Sequence, residues 1–96
     1  MYYLLHYKYV KNILSKREPF RDNHLGILKS MQDNGECILA GAVGDPIFGA
    51  TFVFKVNSED DVLLFVDSDP YVANNLVTEF TIQPWAVAVG SAHQTD

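Results

Sequence analysis

The spacing of apolar and polar positions changes along the chain and marks out strands and helices in turn. Residues 2–10 are rich in Tyr, Leu and Val, which predicts a first strand with apolar groups on both faces. The spacing then becomes helical: after a short turn at 12–16, a main helix is predicted to begin near Glu18 and to end at Asn34-Gly35. The apolar stripe of this helix comprises Phe20, His24, Ile27, Leu28 and Met31.

The middle of the chain predicts a hairpin and a second helix. Cys37–Val43 and residues 48–56 are apolar runs joined by Gly44-Asp45-Pro46, and this combination is typical of two strands and a turn. Asn57 opens a polar segment whose acidic residues suit the first turn of a helix that runs to about Ser68.

The last part of the chain predicts a further helical turn at 70–75 and a fourth strand at Val77–Trp85, which residues 86–89 extend or accompany at an edge. Residues 91–96 are predicted to be a frayed tail. The order β-α-β-β-α-β indicates an α+β, ferredoxin-like fold. Two helices cover only one face of a four-stranded sheet, so we expect a homodimer in which two sheets pack face to face.

Length and composition limit what the chain can be. With 96 residues, 48% hydrophobic and 20% charged, it suits one globular domain, which we assign to residues 1–90. Cys37 is the one cysteine, so an internal disulfide is excluded and a cytoplasmic setting is expected. The opening residues lack the pattern of a signal peptide, and no apolar run reaches the ~18 residues of a membrane span, so no membrane partner is expected.

Charge is unevenly distributed along the chain. The formal net charge is −5, but residues 1–29 carry six of the seven basic side chains and a net charge of +4, which leaves −9 for the remainder. A solvated helix face is the simpler interpretation; the alternative is a local positive field that favours an anionic ligand beside the first helix. An acidic domain is a poor candidate for general nucleic-acid binding.

Asp69 is the first candidate for chemistry. It follows Val62 and Val66 at helical spacing, which places a carboxylate on the inward side of the second helix. A negative charge in a last helical turn opposes the helix dipole, so a local compensating group is expected. The alternative role is structural: Asp69-Pro70 matches an N-cap followed by proline at the first position of a new turn. The two roles are compatible.

His24 is the second candidate. It lies on the apolar stripe of the main helix, where a histidine is most often a satisfied core group. In the predicted fold, however, both helices lie on the same sheet face, so His24 and Asp69 can meet in one cleft. A carboxylate there would orient the imidazole for general acid–base catalysis near neutral pH.

Two further residues are candidates for substrate binding. Arg21 lies one helical turn before His24 and can bring a guanidinium to an anionic or phenolate oxygen; its alternative is an ion pair with Asp22 or Glu18. Tyr71 either lines the pocket or packs as a core aromatic. No metal-ligand spacing, phosphate loop or dinucleotide fingerprint is present, so neither a metal nor a cofactor is expected.

These features together resemble the YCII-related proteins. The resemblance spans nearly the whole chain in order and rests on the opening Tyr2-Tyr3, Arg21-Asp22-Asn23-His24-Leu25, Leu39-Ala40-Gly41, Asp67-Ser68-Asp69-Pro70-Tyr71-Val72 and Ile82-Gln83-Pro84-Trp85.

The resemblance implies a dimeric α/β barrel of ferredoxin-like fold whose proposed active site maps to His24 and Asp69. One relative is a dehydrochlorinase of a chlorinated hydroxyquinol. Family members often have proline where this chain has Ala42. We assign Gly41 to substrate binding, because the glycine-rich hairpin is expected beside the pocket and would influence substrate size.

Three functional hypotheses follow. The first is a proton-transfer enzyme, lyase-like or isomerase-like, for a small cyclic or phenolic molecule. The second is an RNA-binding module, which shares this strand order, although the basic and first aromatic positions of its strand motif are absent at Gly49 and Ala50. The third is a non-catalytic dimeric ligand-binding or accessory protein.

Overall fold

The computed structural model of the chain describes residues 1–90, which form an antiparallel four-stranded sheet with helices on one face. The strand order is β2-β3-β1-β4. The strands are β1 (Tyr2–Tyr9), β2 (Cys37–Val43), β3 (Gly49–Lys55) and β4 (Val77–Trp85). The helices are α1 (Ile13–Lys16), α2 (Arg21–Asp33), α3 (Glu59–Ser68) and α4 (Pro70–Ala73). This arrangement confirms the predicted α+β, ferredoxin-like fold.

The core lies between the sheet and the helices. On β1, the side chains that face the helices are buried, whereas Tyr2, Leu4 and His6 on the opposite face are half-buried. We call this opposite face the outer face of the sheet. The buried side chains of β1 pack with aromatic residues of β3 and apolar residues of α3, and the set comprises Tyr3, Leu5, Tyr7, Tyr9, Phe52, Phe54, Val62, Phe65 and Val66.

Two boundaries differ from the prediction. A 3-10 turn, Glu18–Phe20, precedes the main helix, so the α-helix begins at Arg21 and not near Glu18. Residues 86–89 form no strand, and the expected extension or edge pairing is wrong. The reason is the register: Trp85 already pairs with Tyr2 at the start of β1, so the chain beyond it has no strand to pair with. The tail predicted at 91–96 lies outside the described residues.

The start of α3 is held by a side chain. The Asp61 carboxylate accepts hydrogen bonds from the backbone N–H groups of Ser58 and Asn57, both at 3.2 Å. These contacts fix the direction in which the chain enters α3 and therefore where α3 ends, beside the site. Within residues 1–90, no helix combines the length and the apolar character that crossing a bilayer requires.

Candidate functional site

Asp69 joins α3 to α4. Its backbone is extended, which breaks the helix after Ser68, and Pro70 starts α4 at once. The Asp69 Oδ1 atom accepts a hydrogen bond from the backbone N–H of Tyr71 at 3.0 Å, which is the N-cap contact that the sequence predicted. The side chain is fully buried. A buried carboxylate needs further donors, because an unpaired buried charge is strongly destabilising.

Two side chains supply those donors. His24 Nδ1 lies 2.8 Å from Asp69 Oδ1, and the Tyr7 hydroxyl donates to Asp69 Oδ2 at 2.8 Å. The carboxylate can only accept, so the His24 Nδ1 atom carries the proton and Nε2 of the neutral ring is an acceptor. The predicted pair is therefore present, and Asp69 is a helix cap as well as the partner of His24.

The His24 ring is held by aromatic side chains. It stacks on Tyr71, with centroids 3.8 Å apart and planes 2° from parallel, and it meets Phe52 and Phe65 edge-on at 6.3 Å. His24 is 5% exposed. The stacked ring and the hydrogen bond to Asp69 together fix the direction of the imidazole.

Tyr7 is a site residue that sequence reasoning missed. Alternation along β1 placed it on the inner face, but its hydroxyl partner is 62 residues away at the α3–α4 junction, and no local pattern reports such a contact. Burial raises the pKa of the Tyr7 phenol far above its usual value, and the charge of Asp69 together with the hydrogen bond to it raises it further. Tyr7 therefore stays a neutral donor to Asp69.

A cavity of about 360 Å³ opens in front of His24. We call it the His24 cavity. The predicted residues His24, Arg21, Gly41 and Tyr71 all line it, and the remaining wall comes largely from apolar residues of α2, β2 and β3. Asp69 is not part of the wall and touches the cavity only through His24. Four of the five predicted site residues thus share one cavity, and the fifth orients one of them.

The contribution of Gly41 is made by its backbone. It lies opposite Thr51, on the outer face, and a Cβ atom added to it would meet nothing within 4 Å. The neighbours Ala40 and Ala42 lie opposite Phe52 and Ala50, so their methyl groups point to the helix side and shape the cavity.

Two more polar residues of the wall, Arg17 and Tyr9, were also missed. Arg17 ends α1, and a half-buried arginine at the end of a four-residue helix has no sequence signal. Burial raises the pKa of the Tyr9 phenol, followed by the nearby Tyr71 and Asp69, whereas the guanidinium groups of Arg17 and Arg21 lower it. The cations and the phenols of the wall therefore lie close enough to act on each other.

Two larger hollows lie elsewhere on the surface. One of about 650 Å³ follows the side of α2 that carries Asp22 and Ser30, and one of about 580 Å³ lies between α1 and the β2–β3 hairpin. Neither contains His24. We place the site in the smaller His24 cavity, because there a buried, oriented titratable group faces a hollow. Within residues 1–90, no group of three His, Cys, Asp or Glu side chains is placed to hold a metal ion.

Comparison with known proteins gives a family and two similar structures. The model of the YCII-related domain matches residues 1–86. The 5-chloro-2-hydroxyhydroquinone dehydrochlorinase TftG from Burkholderia phenoliruptrix, solved with 2,5-dihydroxybenzoquinone, is similar with a TM-score of 0.78 and 21% identity, covering 92% of this chain and 96% of TftG. Protein Atu4242 from Agrobacterium tumefaciens has a TM-score of 0.53 and 19% identity, covering 90% and 94%. No curated protein matches the chain.

Proposed function

The chain belongs to the YCII-related family, and from its His24 cavity we propose that it is an enzyme transferring a proton on a small cyclic or phenolic molecule. The observation that carries the proposal is the buried His24–Asp69 hydrogen bond of 2.8 Å at the wall of a hollow. The dehydrochlorinase TftG, which shares the fold, was solved with a quinone of one ring and supports this substrate class.

His24 is the proposed acid–base residue. With Nδ1–H donated to Asp69, the Nε2 atom is the ring nitrogen that can take a proton from a carbon or hydroxyl of a bound molecule. The electron pair left behind forms a double bond, and a leaving group departs with its own bonding pair, or the proton returns at another position. Asp69 stabilises the imidazolium that forms, since the carboxylate stays ionised beside it.

Arg21, Tyr71 and Gly41 are the proposed substrate-binding residues. Arg21 is half-buried and lines the same wall as His24, so its guanidinium is placed to stabilise negative charge that develops on a substrate oxygen. The Tyr71 ring and the Gly41 backbone form walls against which a flat ring can lie.

Chloride release from 5-chloro-2-hydroxyhydroquinone, together with solvent-deuterium exchange into a panel of phenols, tests the proposal. Replacing His24 by Gln should lower the rate by ~100-fold or more, because general acid–base catalysis contributes ~10²–10⁴-fold. His6→Gln is the matched control, because His6 lies on the outer face and bonds to Thr51. A wild-type rate in His24→Gln, or no reaction by the wild-type chain, would favour the non-catalytic ligand-binding alternative.

We further propose that two copies pair through the outer face of the sheet. Leu39 and Trp85 are 70% and 43% exposed there, and they lie in the same face as Tyr2 and Leu4. Burying such a surface suits a small domain whose own core is limited. Light scattering should give twice the chain mass, and Leu39→Glu should halve it; a monomeric wild type would contradict the pairing. The cytoplasmic location stays a prediction.

A further inference from the structure

Two cations in the wall of the His24 cavity have no anionic partner. Arg17 and Arg21 lie four residues apart on either side of the 3-10 turn, and both side chains are half-buried. Among residues 1–90, neither lies within 4 Å of a carboxylate oxygen, although Glu18 and Asp22 are their sequence neighbours. Partly desolvated guanidinium groups without a counter-ion mark a place where an anion is stabilised.

The Tyr71 hydroxyl is a second, independent sign of a missing partner. Tyr71 is 1% exposed, and its hydroxyl forms no hydrogen bond of acceptable geometry within the described residues. Arg21 is near enough to lower the pKa of this phenol, as does Arg17, against the larger effect of burial, which raises it; the approach of Arg21 falls short of a formed hydrogen bond. Buried hydroxyls are seldom left unpaired, so an acceptor is expected at this end of the cavity.

The charges of the cavity set the charge of the ligand. No Asp or Glu lines the wall, and the nearest carboxylate, Asp69, lies behind His24 and is held by its own three donors. Two guanidinium groups and one carboxylate leave a net positive charge while His24 is neutral. A ligand with one negative charge balances the cavity and leaves Nε2 of His24 free to accept a proton.

We propose, on the premise of the proton-transfer function above, that the substrate is a single-ring compound carrying a carboxylate, which binds Arg17, Arg21 and the Tyr71 hydroxyl while the ring faces His24. A carboxylate is ionised at neutral pH and pairs with guanidinium groups through two parallel hydrogen bonds, whereas a simple phenol is neutral there. A hollow of about 360 Å³ lies at the small end of ligand pockets, which suits one ring.

A pair of ligands that differ only in the carboxylate tests this directly. We would measure the binding of 2,5-dihydroxybenzoate and of 1,4-dihydroxybenzene by calorimetry. The wild-type protein should bind the carboxylate compound more tightly, and Arg17→Gln should weaken it by ~10- to 100-fold, the size expected for a charge-assisted contact. The same variant should leave 1,4-dihydroxybenzene within about twofold.

Lys16→Gln is the matched control, because it removes the same charge from the neighbouring position, where the side chain is exposed and lies outside the cavity wall. It should change neither affinity. His24→Gln separates this inference from the proposed function: it should keep the affinity for 2,5-dihydroxybenzoate while losing proton transfer. Equal affinities for the two compounds, no binding by either, or equal losses in Arg17→Gln and Lys16→Gln would overturn the carboxylate site and leave the proton-transfer test intact.

Discussion

Tyr7→Phe isolates one of the three hydrogen bonds that hold the Asp69 carboxylate. The substitution removes the hydroxyl, which lies 2.8 Å from Asp69 Oδ2, and keeps the ring. The ring contacts with Phe52 at 4.8 Å, Tyr9 at 6.1 Å and Phe65 at 6.5 Å remain, so no cavity forms in the core. The loss should therefore report the hydrogen bond alone.

The expected loss is large for a single oxygen atom. Hydrogen bonds to charged groups contribute ~1.5–3 kcal/mol, and the fully buried Asp69 has no water to replace the missing donor. For a domain of this size, 2 kcal/mol lowers the melting temperature by roughly 8–16 °C. We thus expect a free energy of unfolding that is ~2 kcal/mol below that of the wild type at pH 7.

Urea unfolding at a fixed protein concentration measures this loss, because any self-association would make stability depend on concentration. Tyr3→Phe is the control: Tyr3 lies on the same face of β1 and is equally buried, but its hydroxyl meets only the Met1 sulfur, at 3.7 Å. That variant should lose ~0.5 kcal/mol or less. Equal losses in the two variants would refute the view that Asp69 is held as a charged carboxylate by Tyr7.

The same variant gives an alkaline test. The pKa of Tyr7 is raised in the folded state by burial and by Asp69, so its contribution is fully present below the unfolded value near 10 and is lost as pH rises toward the folded value. Above pH ~10 the wild-type stability should fall, with ~1.4 kcal/mol per pH unit from Tyr7. Tyr7→Phe should show a slope shallower by that amount, and an unchanged slope would show that Tyr7 ionises normally in the folded chain.

Three further predictions concern the cavity, a cap and the thiol. Ala42→Leu should weaken binding of 1,4-dihydroxybenzene by ~10-fold because the side chain enters the His24 cavity, whereas Gly41→Ala should leave calorimetric affinity within about twofold. Asp61→Ala should cost ~1 kcal/mol in urea unfolding because the contacts to Ser58 and Asn57 are lost, and Asp60→Ala, at the same turn, should cost less. Burial raises the pKa of the Cys37 thiol, so a colorimetric thiol reagent should react slowly at pH 8 and rapidly in urea; fast reaction of the folded chain would contradict the burial.

The sequence predicted the fold well because the strands and helices are encoded by local spacing. β2 and β4 begin and end where the apolar runs do, and α3 follows its polar start at Asn57. The 3-10 turn before Arg21 was not predicted, because Pro19 is compatible with the first turn of either helix type. The end of β4 depends on pairing with Tyr2, which is a non-local fact.

The site was predictable only as far as the topology carried it. Placing both helices on one sheet face brought His24 and Asp69 into the same region, and the model adds the contact itself. Tyr7, Tyr9 and Arg17 could not be assigned, because their roles depend on which side-chain ends meet across the core. Hydrophobic alternation reports the face on which a residue lies and says nothing of the atom at its tip.

The position of Asp69 also limits how a ligand can enter. One carboxylate ties β1 through Tyr7, α2 through His24 and α4 through the Tyr71 backbone, so any swing of α4 away from the sheet breaks all three contacts at once. Such a motion would dismantle the site it opened. Traffic must therefore pass on the opposite side, where the β2 segment Ala40–Ala42 is exposed and the neighbouring hairpin has no tie to Asp69. The helix side is the fixed wall of the cavity, and the hairpin side is its door.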